Sequence, residues 1–268
     1  MQRVDECRAQ CFADDVETSP QMQHWTHEQL CHYFESGGNT NLRPLILQLH
    51  GTAANPHIWH LQTAKLNAET NKVVDQKLLH ATKRVQSTNP HAQLMLRYFG
   101  QNQQLFEYCS ALVDAQGRRT YDDQDFEAAL DGLEVQIAAS RAMYTKIVLL
   151  GFSQGANLAA ALAARAESEL NPFACVVLIC PARPGYMKKD LVGFDFFESG
   201  KSKMSTPALI IGGGASDTVV GDGPREVTEL FANSRLIEHG EGHRPIPADA
   251  AKADRLCAQV RAFVEDHT

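Results

Sequence analysis

One stretch of this chain, Lys146-Ile-Val-Leu-Leu-Gly-Phe-Ser-Gln-Gly-Ala156, constrains the fold more than any other. Residues 147–150 are four consecutive apolar residues, the pattern of a short strand buried on both faces of a sheet. Two glycines then flank Phe152, Ser153 and Gln154, and the small residues that follow predict a helix. Strand, sharp turn and helix together match the G-x-S-x-G nucleophile elbow, which lifts a serine hydroxyl clear of the sheet.

The two glycines of this turn have a predicted steric role. A side chain at Gly151 or Gly155 is expected to collide with the neighbouring strand and helix, and Ser153 is expected to have a strained backbone. The alternative is an ordinary strand-to-helix turn in which Ser153 caps the helix, because serine is a favoured N-cap residue. Partners for the serine elsewhere in the chain must decide between the two.

The rest of the chain repeats the order of strand and then helix. Apolar runs predict strands at residues 44–49, 91–99, 174–180, 207–212 and 234–239. Apolar spacing predicts helices that begin near Trp59 and that cover residues 125–137, 156–164 and 250–265. This alternation predicts a mostly parallel central sheet with helices on both faces and right-handed crossovers. Together with the elbow, it predicts an α/β-hydrolase fold over residues 43–268.

Two segments of this domain are expected to lie outside the sheet. Residues 182–206 number only 25, which permits a flap but no large cap domain; its aromatic residues are Phe194, Phe196 and Phe197. Residues 100–123 are predicted as a loop near the mouth of a cleft at the strand ends. The large side chains of that loop either face a substrate or close the fold, and they are Phe106, Tyr108 and Leu112.

Composition excludes several classes of protein. The net charge of −7 argues against a nucleic-acid or anionic-membrane surface, because both require clustered Lys and Arg. The chain has no apolar run of 18 residues, and its start lacks the apolar core of a signal peptide, so neither a membrane span nor secretion is expected. The odd number of seven cysteines, scattered through strands and helices, favours reduced thiols and a cytoplasmic location. No cofactor is expected.

Residues 1–42 differ from the rest of the chain. Four of their side chains could in principle form a zinc site, but their spacing matches no tight zinc knuckle; they are Cys7, Cys11, His27 and Cys31. Residues 26–34 are equally consistent with an amphipathic helix that docks on the main domain through Leu30, Tyr33 and Phe34. We therefore predict a helical extension of unassigned role, and no metal site.

Downstream residues supply the partners that a nucleophilic serine needs. A serine hydroxyl is a poor nucleophile unless a base removes its proton and a third group orients that base. In this fold the chain order is Ser, then Asp or Glu, then His. Asp217 follows the strand at 207–212, and His243 follows the strand at 234–239, so both lie at the edge where parallel sheets bind ligands. We predict that Asp217 orients His243 and that His243 is the base for Ser153.

Other residues could take these two roles. Asp222 lies five residues beyond Asp217, and Asp190 or Asp195 could supply the acid from the preceding loop. His239 is the other candidate base, but it ends a strand and is expected to pack. The position and order of Asp217 and His243 favour them over these rivals.

The strand at 44–49 runs directly into His50-Gly51-Thr52, where an α/β-hydrolase forms part of its oxyanion hole. Gly51 would let the loop approach the substrate, and the backbone N–H of Thr52, or of Ala53, would point at the oxyanion. The backbone N–H of Gln154 would supply the second donor. The alternative is a His-Gly turn of the kind that can follow any parallel strand.

Four segments and one helix resemble the FSH family of serine hydrolases. The segments are Leu49-His-Gly51, Gly151-Phe-Ser-Gln-Gly-Ala156, Ser216-Asp-Thr-Val-Val220 and His239-Gly-Glu-Gly-His-Arg-Pro-Ile-Pro247, and the helix covers residues 126–137. The resemblance covers roughly residues 44–265. It implies an α/β-hydrolase fold and the hydrolysis of esters or thioesters by Ser153, Asp217 and His243. The elbow alone is shared with acyl-protein thioesterases and related carboxylesterases, whereas the ending Gly242-His-Arg-Pro-Ile-Pro247 favours the FSH family.

The chain departs from that family in two places. Thr52 stands where the family tends to have a bulkier residue, so the oxyanion loop could be set differently, and residues 1–42 lie outside the pattern. Sequence alone leaves open acyl transfer to an acceptor other than water, which would use the same three residues. It also leaves open a ligand receptor that keeps the fold without catalysis, although a receptor has no need of Asp217 behind His243.

Overall fold

The computed structural model of the protein describes residues 43–113, 119–182 and 203–268. The strands are, in chain order, β1 (Leu45–Leu49), β2 (Asp75–Leu78), β3 (Lys83–Arg84), β4 (Phe106–Glu107), β5 (Ala111–Val113), β6 (Arg119–Tyr121), β7 (Ile147–Phe152), β8 (Cys175–Ile179), β9 (Ala208–Gly212) and β10 (Ser234–Glu238). The helices are α1 (Pro56–Thr70), α2 (Pro90–Phe99), α3 (Asp123–Arg141), α4 (Gln154–Ser168), α5 (Gly223–Thr228) and α6 (Ala250–His267).

Six of the strands form the central sheet, in the order β10-β9-β8-β7-β1-β2. Each neighbouring pair in this sheet is parallel. The carboxyl ends of β1, β7, β8, β9 and β10 therefore meet at one edge of the sheet. This arrangement confirms the predicted α/β-hydrolase fold and its parallel sheet.

Alternating side chains of each strand pack on opposite faces of the sheet. In β1, Leu45, Leu47 and Leu49 belong to one buried cluster, together with residues of α3 and α4. Ile46, between them, belongs to a second cluster that includes residues of α1 and α6. The central strands are buried on both faces because helices cover both sides, which explains why their sequences are apolar runs and do not alternate with polar residues.

The prediction of a strand at residues 91–99 is wrong, because this segment lies within helix α2. Asn89 caps the helix by accepting hydrogen bonds from the N–H groups of His91 and Ala92, Pro90 occupies the first turn, and Gly100 ends the helix with a φ of 103°. The inward-facing residues have helical spacing; they are Ala92, Met95, Leu96 and Phe99. The Asn-Pro start and the Gly end are helix signals that an apolar run does not show.

The described part of residues 100–123 contains strands where a loop was predicted. β4 pairs with β3, and β5 pairs with β6, so two small antiparallel sheets lie beside the main sheet. Tyr108 is buried in the core, and its hydroxyl donates to the carbonyl of Leu79 over 2.9 Å. Tyr108 therefore closes the fold, whereas Leu112 is exposed.

Some predictions fall on residues that the structure does not describe. They are the helical extension and possible zinc ligands of residues 1–42, and the aromatic residues Phe194, Phe196 and Phe197. No separate cap domain lies over the sheet within the three described segments. None of the helices in those segments combines the length and the apolar character needed to cross a bilayer.

Candidate active site

Ser153 stands at the turn between β7 and α4. Its φ of 53° and ψ of −116° are a strained combination for a residue with a side chain, as the elbow predicts. Its N–H donates to the carbonyl of Ile179 in β8 over 2.8 Å, which ties the turn to the neighbouring strand. The side chain makes no capping hydrogen bond to α4, so the alternative of a serine that merely caps the helix is wrong.

Both glycines of the elbow sit where a side chain has no room. A Cβ atom at Gly151 would lie 2.3 Å from the carbonyl oxygen of Gly155, and one at Gly155 would lie 2.3 Å from the carbonyl oxygen of Leu49. These distances confirm the predicted collisions with the helix and the neighbouring strand. The close approach brings the start of α4 against β1, and it fixes where the serine hydroxyl points.

The loops after β9 and β10 bring Asp217 and His243 to this hydroxyl. His243 Nε2 lies 2.9 Å from Ser153 Oγ, and His243 Nδ1 lies 3.0 Å from Asp217 Oδ2. A carboxylate only accepts hydrogen bonds, so Nδ1 carries the proton and Nε2 is left to accept from the serine. Phe152 packs beside the imidazole, with the ring centroids 5.1 Å apart. The three residues are thus joined in one hydrogen-bonded chain.

The Asp217 carboxylate is held as an anion inside the protein. Its side chain is only 1% exposed, and burial by itself would raise its pKa. Hydrogen bonds from His243 and from the N–H groups of Val219 and Val220 outweigh this effect and lower the pKa below its ordinary value. Asp217 can therefore orient the imidazole and stabilise a positive charge on it.

Two of the rival residues, Asp222 and His239, lie elsewhere. Asp222 precedes α5, and Asp190 and Asp195 are outside the described residues. His239 is buried; its Nδ1 accepts from the N–H of Glu241 over 3.1 Å, and its Nε2 faces the carbonyl of Arg244 at 3.3 Å. Burial lowers the pKa of His239 more than this carbonyl and the nearby carboxylates of Glu241 and Asp217 raise it. His239 packs beneath the His243 loop, as its place at a strand end predicts.

The loop after β1 lies against Ser153. A Cβ atom at Gly51 would lie 2.9 Å from the Phe152 ring and 3.3 Å from Ser153 Cβ, so only glycine permits this approach. Ala53 has a φ of 59°, and mutual hydrogen bonds between Ala54 and Phe106 fix the far end of the loop. In the described part of the chain, the N–H groups of Thr52 and Gln154 have no hydrogen-bond partner.

A cavity of about 370 Å³ opens in front of Ser153. Its volume is within the range of small-molecule sites. Its apolar wall comes from α2, from the loop after β9 and from the loop that follows His243; the residues are Leu94, Met95, Val219, Val220 and Pro245. Its polar wall includes Asn89, Tyr121, Asn157 and Arg244. An acyl chain and a polar group can both be accommodated next to the hydroxyl.

Comparison with known proteins identifies the family. The family described as "Serine hydrolase (FSH1)" matches residues 41–256, which is most of the chain. The chain belongs to this family of serine hydrolases. No curated protein matches the sequence significantly.

Solved structures share the fold of this FSH1 family member at low sequence identity. A Bacillus cereus carboxylesterase has a TM-score of 0.56 at 18% identity, over 88% of this chain and 99% of that one. A Mesorhizobium loti carboxylesterase has a TM-score of 0.53 at 18% identity, over 83% and 88%. Esterase PE8 has a TM-score of 0.52 at 19% identity, over 83% and 93%. At these identities the likeness supports the α/β-hydrolase fold.

Two polar side chains of α4 were missed by sequence reasoning. The Gln154 amide accepts from the N–H of Tyr108 over 2.8 Å and donates to the carbonyl of Cys109 over 2.7 Å. Asn157 donates to the Tyr121 hydroxyl over 3.0 Å and accepts from the N–H of Ala182 over 2.8 Å. The sequence contained one indication of their role, which is that two amide side chains stand three residues apart in a helix otherwise rich in alanine. Both brace the walls of the serine hydrolase site.

The thiol of Cys180 lies behind the Asp217 carboxylate. One donor atom from each of Cys180, Asp217 and His243 falls within 4.8 Å of the others, which is close enough to suggest a metal site. The hydrogen bonding argues against it, because Asp217 Oδ1 already accepts from the N–H groups of Val219 and Val220. Asp217 and His243 are also bonded to each other. We interpret Cys180 as a buried neighbour of the carboxylate.

His50 is expected to make the protein sensitive to acid. Burial lowers the pKa of His50 to about 4, although its hydrogen bond to the carbonyl of Gly51 opposes the shift. The unfolded chain binds this proton near its ordinary pKa of about 6.5, so His50 contributes fully to stability above that pH. The contribution is lost as the pH falls towards about 4, and it amounts to roughly 3 kcal/mol in the free energy of unfolding.

Urea unfolding at pH values between about 7 and 4 measures this effect. We expect the His50→Gln variant to lose less free energy of unfolding over that interval than the unsubstituted protein, since glutamine does not titrate. His60→Gln is the matched control, because His60 is exposed on α1 and should leave the pH dependence unchanged. Parallel pH profiles for His50→Gln and the unsubstituted protein would refute the role of His50.

Proposed function

We propose that this serine hydrolase cleaves carboxylic esters or thioesters through an acyl-enzyme on Ser153, with His243 as the general base and Asp217 as its orienting partner. The observation that carries the proposal is the unbroken chain of contacts, 2.9 Å from Ser153 Oγ to His243 Nε2 and 3.0 Å from His243 Nδ1 to Asp217 Oδ2. Nothing in a merely structural serine or a ligand receptor requires this order of groups.

Acylation begins when Ser153 Oγ attacks the carbonyl carbon of the substrate. His243 Nε2 takes the hydroxyl proton as the carbon–oxygen bond forms, and the carbonyl oxygen becomes an oxyanion. The tetrahedral intermediate then collapses, the bond to the leaving alcohol or thiol breaks, and His243 returns the proton to that leaving group. The buried Asp217 carboxylate stabilises the imidazolium between these two transfers.

Deacylation repeats the sequence with water. His243 deprotonates the water as it attacks the acyl-enzyme, and the same proton then returns to Ser153 as the carboxylic acid leaves. We propose that the backbone N–H groups of Thr52 and Gln154 donate to the oxyanion in both halves. Their lack of a partner in the described residues supports this role, and a donor of this kind typically contributes about 2.7–4 kcal/mol to transition-state stabilisation.

The substrate class and the setting are supported by other features. The cavity of about 370 Å³ has an apolar wall suited to an acyl group, and structural neighbours are described as carboxylesterases or esterases. The thiols of Cys109, Cys175, Cys180 and Cys257 are free and buried, which supports a reducing, cytoplasmic location. We propose residues 43–268 as the catalytic domain, which agrees with a family match that begins at residue 41.

Labelling with a fluorophosphonate probe tests the nucleophile. The probe phosphonylates a serine, with loss of fluoride, only when a base activates that serine. We therefore expect one adduct, on the peptide that contains Ser153. Mass spectrometry of a protease digest locates the adduct, and the His243→Ala variant should react far more slowly. An adduct on another serine, or equal labelling of the His243→Ala variant, would contradict the proposal.

A matched pair of substrates separates the two bond types. An oxyester and a thioester with the same acyl group form the same acyl-enzyme, so their kcat values converge if deacylation limits turnover. Their kcat/KM values then compare the acylation steps directly. Hydrolysis of neither substrate, at concentrations that give measurable rates with another serine esterase, would overturn the ester or thioester proposal.

A further inference from the structure

The cavity in front of Ser153 has an unusual charge for this protein. The chain has a net charge of −7, yet the described residues that line the cavity include no Asp or Glu. Arg244 is the one Lys or Arg side chain among them. A wall that, within the described residues, includes an arginine and no carboxylate favours anionic groups on whatever binds there.

The backbone of Arg244 is fixed next to the proposed base. Arg244 directly follows His243, and its N–H donates to the carbonyl of Gly242 over 2.9 Å. Its own carbonyl faces His239 Nε2 at 3.3 Å and the Cys180 sulfur at 3.8 Å. These contacts set the position from which the side chain extends, so the distance of its charge from the reacting carbon is restricted.

The guanidinium retains free capacity for a ligand. Its one carboxylate partner among the described residues is Glu241, with Nη1 at 3.9 Å from Oε2. Glu241 already accepts from the N–H of Ala248 over 2.6 Å and pairs with Lys252 at 3.3 Å. The Arg244 side chain is 45% exposed, and a guanidinium has five N–H donors, so the contact with Glu241 leaves donors for a ligand.

We propose that Arg244 is a specificity-determining residue that selects ester or thioester substrates carrying a carboxylate, either in the acyl group or in the leaving group. The inference rests on the proposed function of the site. Arginine binds a carboxylate through two parallel hydrogen bonds, which would hold such a substrate with its ester bond near Ser153 Oγ. A neutral substrate of the same size would fill the apolar wall but would forgo this contact.

Two pairs of substrates test the preference. For the acyl side, the half-ester ethyl hydrogen glutarate is compared with its amide, ethyl 4-carbamoylbutanoate. For the leaving-group side, 4-acetoxybutanoate is compared with 4-acetoxybutanamide. Each amide replaces a charged carboxylate by a neutral group of similar shape. The readout is the ratio of kcat/KM for the anionic substrate to kcat/KM for the amide, with products separated by chromatography.

We expect the ratio to exceed one in at least one pair and to fall about tenfold in Arg244→Gln, since a charge-assisted contact at a half-exposed site is of that order. Arg255→Gln makes the same change of charge on the exposed face of α6 and should leave the ratio unchanged. Added salt should lower the ratio of the unsubstituted protein, because salt screens exposed charges. If Arg244→Gln does not fold, a ratio that added salt leaves unchanged would overturn the inference.

The outcomes separate this inference from the proposed function. Two results would overturn the role of Arg244 alone. One is equal kcat/KM values for the anionic esters and their amide-bearing partners, and the other is a preference for the anionic esters that persists in Arg244→Gln. If the unsubstituted protein hydrolyses none of the four esters, the proposed function is overturned, and this inference with it. A preference confined to one pair supports the inference and shows on which side of the scissile bond the carboxylate lies.

Discussion

Replacement of Ser153 by alanine is expected to lower kcat for ester hydrolysis by about 10⁵-fold or more. The variant has no nucleophile, so the acyl-enzyme cannot form, and His243 has no hydroxyl proton to remove. What remains is catalysis by the oxyanion donors and by substrate binding, which act on a water molecule that the site was not shaped to hold. Initial rates with a 4-nitrophenyl acyl ester measure the loss.

Two controls separate chemistry from folding in this experiment. Ser168→Ala removes a hydroxyl at the other end of α4, where it donates to the carbonyl of Ala164, and should leave kcat unchanged. The double variant Ser153→Ala, His243→Ala should be no slower than Ser153→Ala, because residues of one catalytic unit lose their effect together. Turnover by Ser153→Ala within about tenfold of the unsubstituted protein would exclude Ser153 as the nucleophile.

The elbow was predictable because the G-x-S-x-G pattern reflects its steric constraints. Gly151 and Gly155 are dictated by contacts with Gly155 and Leu49, so the sequence pattern and the steric requirement coincide. The order of Asp217 and His243 was predictable for another reason. Each follows an apolar strand, and parallel strands of one sheet place their carboxyl ends at the same edge. Those two facts suffice to bring together residues 90 positions apart.

The error at residues 91–99 has a physical cause. A segment with apolar positions at 92, 95, 96 and 99 satisfies helical spacing, but its adjacent apolar pairs also resemble a buried strand. The cap residues were the better guide, because Asn89 and Pro90 can start a helix and Gly100 can end one without tertiary help. Since α2 supplies Leu94 and Met95 to the cavity, this error also hid part of the substrate wall.

Side chains that support the site from behind could not be predicted. The Gln154 amide is hydrogen-bonded to Tyr108 and Cys109, which are about 45 residues away in the chain, and the Cys180 thiol meets Asp217 only after β8 and β9 have paired. Arg244 shows the same limit. Its place beside His243 is evident from the sequence, but its status as the one Lys or Arg side chain among the described cavity residues follows from the fold.

Replacement of Asp217 by asparagine is expected to lower kcat by about 10⁴-fold while the fold is retained. The asparagine carbonyl can still accept from Val219 and Val220, as Oδ1 does in the unsubstituted protein at 3.0 and 3.3 Å. Its amide then faces His243 as a donor, so Nδ1 must accept and the proton moves to Nε2. In that tautomer the imidazole cannot take the proton of Ser153. Initial rates with saturating acyl ester measure the fall in kcat.

The matched control is Asp222→Asn, which makes the same change five residues away, at the start of α5, and should leave kcat unchanged. The pH dependence of stability adds a second test. The pKa of Asp217 is lowered on folding, so its contribution is complete above about pH 4 and is lost as the pH falls through the lower, folded value. The Asp217→Asn variant lacks this pH-dependent contribution, so the difference in free energy of unfolding between it and the unsubstituted protein should shrink in acid. A larger loss of kcat in Asp222→Asn than in Asp217→Asn would transfer the orienting role to Asp222.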